Sequence, residues 1–341
     1  MTPTNDFARE LCRTQCRQAV RALPSSVSWI PEIPEQWPAE CLDVIDRFLP
    51  EHSRGTRRAE EICCGNISAA AAALGSSSPA GGHTGSPPHG LPAVLLRTPL
   101  CTEPEVPVMA ALAARVPRLT VVIDHFRHGE LVSAAAKSAG RTISVLIAVD
   151  TGRQMPGVHP GPDCESLSRA VVGQEGLQLR GIFADTEPLE SAAALQGLSA
   201  GRALQLARQC LRHLRSRGMA AEDVVLGLGT AEALTTGTEL NGCTVVWGPP
   251  GMSSGALSSA APATVEVGGK IRVISRPALE FCVIAAGSRS GLITAATRVL
   301  APFGAEITAW NAHHSRLHLA GAAVDLRIGD AVTLGNFHNH T

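Results

Sequence analysis

Between Ala93 and Leu226, short apolar runs of strand length alternate with longer stretches of helical periodicity. No other feature of this 341-residue chain restricts its fold as tightly. Ala93-Val94-Leu95-Leu96 precedes a helical pattern over Val106–Arg115, and Leu119–Ile123 precedes one over Glu130–Ala139. Ile143–Val149 precedes one over Cys164–Val172, Leu179–Phe183 precedes one over Leu189–Arg217, and Val224-Val225-Leu226 follows. Strands without polar alternation are buried on both faces, and the intervals between them are long enough for crossover helices, so the segment predicts a parallel sheet. The number of units fits a (β/α) barrel better than an open sheet, which would carry a nucleotide-binding fingerprint near its first strand. After about Gly251 the texture changes. Ala263–Val267, Ile271–Ser275, Leu279–Ala285, Glu306–Trp310, Leu317–Leu319, Val324–Ile328 and Ala331–Leu334 are β-rich runs with few helical intervals. The predicted fold class is therefore α/β, with a barrel portion over 91–251 and a mostly antiparallel β-domain over 252–341.

The first 90 residues are a divergent N-terminal region. They suggest a helix at the start, an irregular Pro/Trp-rich connection from Trp29 to Pro38, and an Ala-rich helical stretch over Glu60–Leu74. Residues 75–92 are low-complexity Gly/Ser/Pro and read as a linker.

Composition narrows the chemistry. A net charge of -1 with 17% charged residues offers no basic field for nucleic acid and no cationic face for a membrane. No apolar run approaches the roughly 20 residues of a membrane span, and Met1–Ala22 is too polar for a secretory signal. The ten cysteines include no C-x-x-C pair and are expected as reduced thiols in the cytoplasm. Tyrosine is absent, which excludes a phenolic acid or base, and the only lysines are Lys137 and Lys270.

Reactive groups of a parallel barrel gather at the carboxyl ends of its strands. Asp124-His125, Asp150-Thr151-Gly152-Arg153, Asp185-Thr186-Glu187 and Gly227-Leu228-Gly229-Thr230 occupy such junctions. Gly229 and Thr230 after a strand, followed by Asn241 and Gly242 in a second polar turn, would let backbone N–H groups approach a phosphate. The same segments also suit ordinary barrel loops, and Asp124 and Asp150 also suit strand-terminal caps. His338-x-His340 places two imidazoles on one side of an extended segment, the start of a site for Zn or Mn, or else a polar C-terminus. His313-His314 and His318 read first as a solvated hairpin, with metal ligation as the alternative.

Together these pieces resemble the D-serine dehydratase / D-threonine aldolase family, in which an alanine-racemase-type (fold-type III) PLP barrel precedes a C-terminal β-domain. Over Leu91–Thr341 the resemblance is carried by Val121-Val122-Ile123-Asp124, by the segment Val145–Val158, by Gly229-Thr230 with Thr238–Asn241, by Ser275-Arg276-Pro277, and by Gly329–His338. It implies PLP and a divalent metal, Zn or Mn, held at His338 and His340. It implies lyase chemistry on a D-3-hydroxy amino acid and a homodimer. It places Asp150, Gly229, Thr230, Asn241 and Gly242 beside the cofactor. The chain departs from the family pattern at decisive positions. Arg54 stands at the PLP-lysine position, where a guanidinium cannot form a Schiff base. Met155 replaces an arginine directed at the cofactor, Asp185 replaces a tyrosine, and Glu187-Pro188 replaces Gly-His. The implied member is a degenerate one: a lyase lacking its usual covalent route or, alternatively, a non-catalytic protein that binds PLP or another phosphorylated ligand.

Overall fold

The computed structural model describes residues 28–33, 62–64, 93–190, 199–228, 243–247, 269–290 and 292–336. Eight parallel strands close a barrel: β1 (Ser28–Ile33), β2 (Ile62–Cys64), β3 (Ala93–Leu96), β4 (Arg118–Ile123), β5 (Ile143–Val149), β6 (Leu177–Asp185), β7 (Asp223–Leu228) and β8 (Thr244–Trp247). Each pairs with the next, and β8 returns to β1 through Ser28 opposite Thr244 and Ile30 opposite Val246. The first 90 residues thus supply two barrel strands. Both depart from the sequence expectation: Trp29–Pro31 is strand and not an irregular connection, and Ile62–Cys64 is strand inside a stretch expected to be helical.

Four helices pack outside strands β3 to β7: α1 (Val106–Arg115), α2 (Phe126–Ala139), α3 (Pro162–Gly173) and α4 (Ala200–Ser216). In α2 the His125 ring nitrogen accepts the Arg127 N–H at 3.1 Å, which satisfies a donor that the first turn would otherwise leave free. The helix ends at Gly140, which takes the left-handed φ of 60° that a residue with a Cβ avoids. Leu131, Val132, Ala135 and Ala136 recur at helical spacing and bury one face of α2. Helix α4 is described from Ala200, and 189–190, where its periodicity suggested a start, run instead along the β-domain, with the Glu190 N–H donating to Trp310 O at 2.8 Å.

Two apolar layers hold the barrel. The outer layer lies between sheet and helices and includes Val94, Leu96, Val121, Ile123, Val145 and Ile147. The inner layer fills the lumen with Leu95, Val122, Leu146, Ala148, Phe183, Val225 and Val246. Alternate residues of each strand feed the two layers, as the pleat requires. Burying one such Leu or Ile contributes about 1.5–3 kcal/mol.

The second domain is a six-stranded antiparallel sheet formed by β9 (Gly269–Ala278), β10 (Phe281–Ile284), β11 (Thr297–Ala301), β12 (Ala305–Trp310), β13 (Ser315–Leu319) and β14 (Ala331–Asn336), in the order β11-β14-β9-β10-β13-β12. Val324–Ile328, expected as a strand, is instead a 3₁₀ turn over Gly321–Asp325 and a coil. The Arg276 guanidinium donates to Val324 O at 3.3 Å and Leu326 O at 2.6 Å, which satisfies carbonyls that a strand would have offered to a neighbour. Thr297–Ala301 is a strand that the apolar pattern did not reveal. The Ala263–Val267 run lies outside the described residues.

Candidate functional site at the barrel mouth

The side-chain period of a strand places the next inward residue beyond each lumen residue at the carboxyl rim. Beyond Leu95, Val122, Ala148, Phe183 and Val225 these are Arg97, Asp124, Asp150, Asp185 and Gly227. The rim of an apolar lumen is therefore charged, and the β-domain covers it.

Arg97 is the centre of the rim. Its Nη2 lies 2.6 Å from Asp185 Oδ2 and 3.0 Å from Glu187 Oε2, and the side chains of Arg97 and Glu187 are only 5% and 6% exposed. The guanidinium also lies over the Phe183 ring, 6.0 Å from its centroid. Gly227 leaves space for this arrangement, since a Cβ there would come within 3.1 Å of Asp185 Oδ1 and of the Phe183 ring. Burial alone would raise the Asp185 carboxyl, but Arg97, the Glu187 backbone N–H and Arg153 together hold it below the usual range. Thr151 Oγ1 donates to Asp185 O at 2.7 Å, and Arg153 Nη1 donates to the same carbonyl at 3.1 Å. From the β-domain, His313 Nε2 comes within 3.6 Å of Glu187 Oε2. His314 Nε2 lies 3.3 Å from Thr98 Oγ1. Burial, with His313 and Arg97 nearby, pushes the His314 pKa down to about 3, so this imidazole is neutral at physiological pH. The solvated-hairpin expectation is corrected for His314, which is 4% exposed; Asn311 Oδ1 accepts the backbone N–H groups of His313 and His314 and turns them toward the barrel. His318 is exposed and packs edge-on against Phe281.

Asp124 forms a second polar node. Its Oδ2 accepts the Gly157 N–H at 2.8 Å and the hydroxyl of Ser275 on β9, and its Oδ1 lies 3.2 Å from His128 Nδ1 on α2. The His128 Nδ1 is also 3.5 Å from the Asp124 backbone nitrogen, a longer and weaker contact than the one to the carboxylate. Gly157 has φ +150°, and a Cβ there would press on Asp150 N and the Val149 carbonyl carbon at 2.6 Å, so this close approach requires glycine.

The remaining residues expected in the site fall out as follows. Asp150 Oδ1 accepts the N–H groups of Gly152, Arg153 and Gln154 at 3.0, 3.0 and 3.1 Å, which makes it the cap of its own loop. Met155 is 4% exposed and packs with Cys101, Ile274 and Val283, so its side chain joins barrel to β-domain. On the other side of that loop, Arg316 Nη1 donates to Arg153 O and Gln154 Oε1, both at 3.0 Å. Arg54, Gly229, Thr230, Asn241, Gly242, His338 and His340 lie outside the described residues. Among the described residues no group of three or more His, Cys, Asp or Glu side chains could hold a metal. Sequence reasoning missed Arg97, although its position two residues beyond a lumen leucine was a signal. It also missed Ser275 and Arg316 as bridges between the domains.

Neither lysine reaches the rim. Helix α2 runs back from the rim to the base of the barrel, so Lys137 in its last turn lies at the opposite end, half-exposed and 3.3 Å from Glu175 Oε2. Lys270, expected in a turn, is an exposed residue of β9 in register with Thr333 of β14.

Residues 91–246 match the family described as alanine racemase, N-terminal domain. They carry β3 to β7 and most of β8 of an alanine-racemase-type barrel. The fold-type III assignment of the sequence holds at this level. No curated protein matches the chain. Among solved structures, D-threonine aldolase from Filomicrobium marinum is 19% identical, with 98% of this chain and 85% of that chain covered and a TM-score of 0.52. An alanine racemase-like protein from Idiomarina loihiensis is 12% identical, with 95% and 86% covered and a TM-score of 0.53. Alanine racemase from Streptomyces lavendulae is 14% identical, with 96% and 86% covered and a TM-score of 0.50. At these identities the likeness is one of fold: an alanine-racemase-type barrel followed by a β-domain. No described helix is long and apolar enough to cross a membrane.

Proposed function

We propose that this chain is a non-catalytic relative of the PLP-dependent lyases that act on D-3-hydroxy amino acids, and that it takes PLP or another phosphorylated ligand without covalent attachment. The observation that carries this reading is the absence of any lysine from the described barrel rim, with Lys137 at the base and Lys270 on the β-domain surface. The ion-paired Arg97, Asp185 and Glu187 occupy the rim instead. The residues present do not fit a Schiff base, because guanidinium groups are protonated and not nucleophilic. The phosphate-binding loops proposed for the ligand are those of Gly229-Thr230 and Asn241-Gly242.

Mixing the purified protein with PLP is expected to give no internal-aldimine band in the visible spectrum. Borohydride is expected to leave no reduced adduct on Lys137 or Lys270 in a peptide map. Saturable PLP binding by calorimetry, lost on Gly229→Asp, supports the binding reading. A labelled lysine, or release of an aldehyde or 2-oxo acid from D-threonine or D-serine, would overturn it.

His338 and His340 are proposed as two ligands of a divalent ion. A His-x-His donor set suits Zn or Mn and needs at least one further ligand. Such an ion would supply Lewis-acid polarisation of a substrate hydroxyl. Metal content measured by plasma mass spectrometry is expected to fall from near stoichiometric to background in the His338→Ala/His340→Ala double variant. Unchanged content rejects the assignment.

A further inference from the structure

Two strands joined by a tight turn ordinarily pair with each other, but β11 and β12 do not. The turn at 302–304 joins them, yet they stand at opposite ends of the sheet order, and the ladder between them runs through β14, β9, β10 and β13. Each carries one extra residue against its partner. On β11 this is Leu300, between the pairs Val299–Leu334 and Ala301–Thr333; on β12 it is Thr308, between Ile307–Leu317 and Ala309–Arg316. Such bulges bend a strand and re-aim its side chains. Between these two bent edges, which share no ladder, lies a cleft of about 280 Å³.

The floor of the cleft is apolar. Val299, Ile307 and Trp310 line it, half-buried, and pack against the core of the β-domain. Its lips are charged, with opposite signs on the two strands: Arg298 on β11 and Glu306 on β12, both exposed. Arg298 Nη1 donates to Ala295 O and Thr297 O, each at 2.8 Å, which holds the guanidinium in place. Its Nε and Nη2 make no hydrogen bond among the described residues, and neither does the Glu306 carboxylate. Nε and Nη2 together form the side-on fork that takes a carboxylate through two parallel bonds.

We propose that this cleft binds a free aliphatic α-amino acid, with its carboxylate on Arg298, its ammonium on Glu306 and its side chain on Val299, Ile307 and Trp310. The lining selects that class. A carboxylic acid without an amine would bring a second negative charge to Glu306, an amine without a carboxylate would bring a second positive charge to Arg298, and a neutral apolar molecule would use neither lip. The volume lies just below the roughly 300–1,000 Å³ of pockets for drug-sized ligands, which suits one small molecule. An added peptide strand would need its two neighbours roughly 9.5 Å apart, twice the strand spacing, whereas β11 and β12 converge on their shared turn. The cleft shares no lining residue with the ion-paired rim of the barrel, so its occupancy is independent of the ligand proposed there.

The test titrates the full chain with L-leucine and D-leucine and follows binding by saturation-transfer NMR. Saturable binding of at least one hand in the millimolar range is expected, as befits a small ligand in an open site. Isoamylamine and 4-methylpentanoate keep the side chain and one charge each, and both should bind at least about fivefold more weakly. Arg298→Ala and Glu306→Gln should each weaken leucine by about fivefold or more and leave the melting temperature unchanged, since both side chains are exposed. Pyridoxine 5′-phosphate, which has no aldehyde to condense with an amine, should not displace leucine. Five results would overturn the proposal: no saturable binding of either hand, equal binding of the one-charge analogues, unchanged affinity in the two variants, displacement by pyridoxine 5′-phosphate, or tighter binding of an aliphatic tetrapeptide than of free leucine. The fourth would move the amino acid to the barrel mouth, and the fifth would make the cleft a site of strand addition.

Discussion

Replacing Arg97 by methionine is expected to destabilise the protein by about 3–5 kcal/mol, the cost of breaking a buried ion pair by removing one partner. Methionine fills nearly the same volume, so the loss comes chiefly from the charge. Without Arg97, Asp185 and Glu187 would be two carboxylates facing one another across a buried rim, with Arg153 among the described cations left to offset Asp185. In the native protein Arg97 is the largest of the effects that hold the Asp185 carboxyl down against burial. Its removal lets burial dominate, and the folded-state pKa of that carboxyl then moves above its unfolded value. A group with a raised folded pKa contributes stability at low pH and loses it as the pH rises through that pKa. The variant should therefore be least stable, relative to the native protein, at pH 8, and should recover part of the difference by pH 5. Urea unfolding at the two pH values measures this. An equal deficit at both would assign the cost to lost packing over Phe183. Replacing the triad together, as Arg97→Met/Asp185→Leu/Glu187→Leu, is expected to restore most of the stability, because the desolvation cost leaves with the charges.

The barrel was legible where burial on both faces made strands continuously apolar. Ala93–Leu96 and Ile143–Val149 coincide with β3 and β5, and Val106–Arg115 coincides with α1. It was not legible in β1, whose Ser-Trp-Ile-Pro-Glu-Ile interrupts an apolar run with Pro31 and Glu32, nor in β2, three residues long inside an Ala-rich context. Those strands are fixed by their neighbours in the closed barrel, which is long-range information. Val324–Ile328 failed for the opposite reason. Its alternating pattern imitates a strand, but Arg276 takes its carbonyls.

The site divides along the same line. Asp124, Asp150 and Asp185 could be placed at strand ends from the sequence because strand length and period suffice for that. What they touch could not be read. Ser275 is 151 residues from Asp124, and Arg316 is 163 from Arg153; only the docking of the β-domain on the rim brings these pairs together. Met155, which by resemblance stands in place of a cofactor-directed arginine, packs its side chain against Ile274 and Val283 between the domains, a contact the sequence alone does not reveal. The buried His314 could not be anticipated from a pair of adjacent histidines, because the turn built on Asn311 decides its direction.

Asp124→Asn is the second large effect expected, about 1–3 kcal/mol at neutral pH, the cost of leaving buried donors with a weaker acceptor. Burial by itself would raise the Asp124 carboxyl. His128, Ser275 and the Gly157 N–H outweigh burial and hold it below the usual range. A depressed folded pKa gives stability that is complete above the unfolded value, about 3.9 for Asp, and that is lost as the pH falls through the folded value. Asparagine has the same shape and one acceptor oxygen but no charge to offer the His128 ring. The gap between native protein and variant should therefore be widest near pH 7 and should narrow below about pH 4. Unfolding free energies measured from pH 7 to pH 3 test this, and a gap constant across that range would reject the charge-based account. The carboxylate also binds Ser275 of the β-domain, so the effect of Asp124→Asn should not add to that of Ser275→Ala. A coupling of about 0.5–3 kcal/mol in the double-mutant cycle is expected. Simple additivity would mean that the hydroxyl contributes nothing to holding the β-domain over the rim. A measured coupling would locate that hold at the end of β4, beside β3 and its ion-paired Arg97.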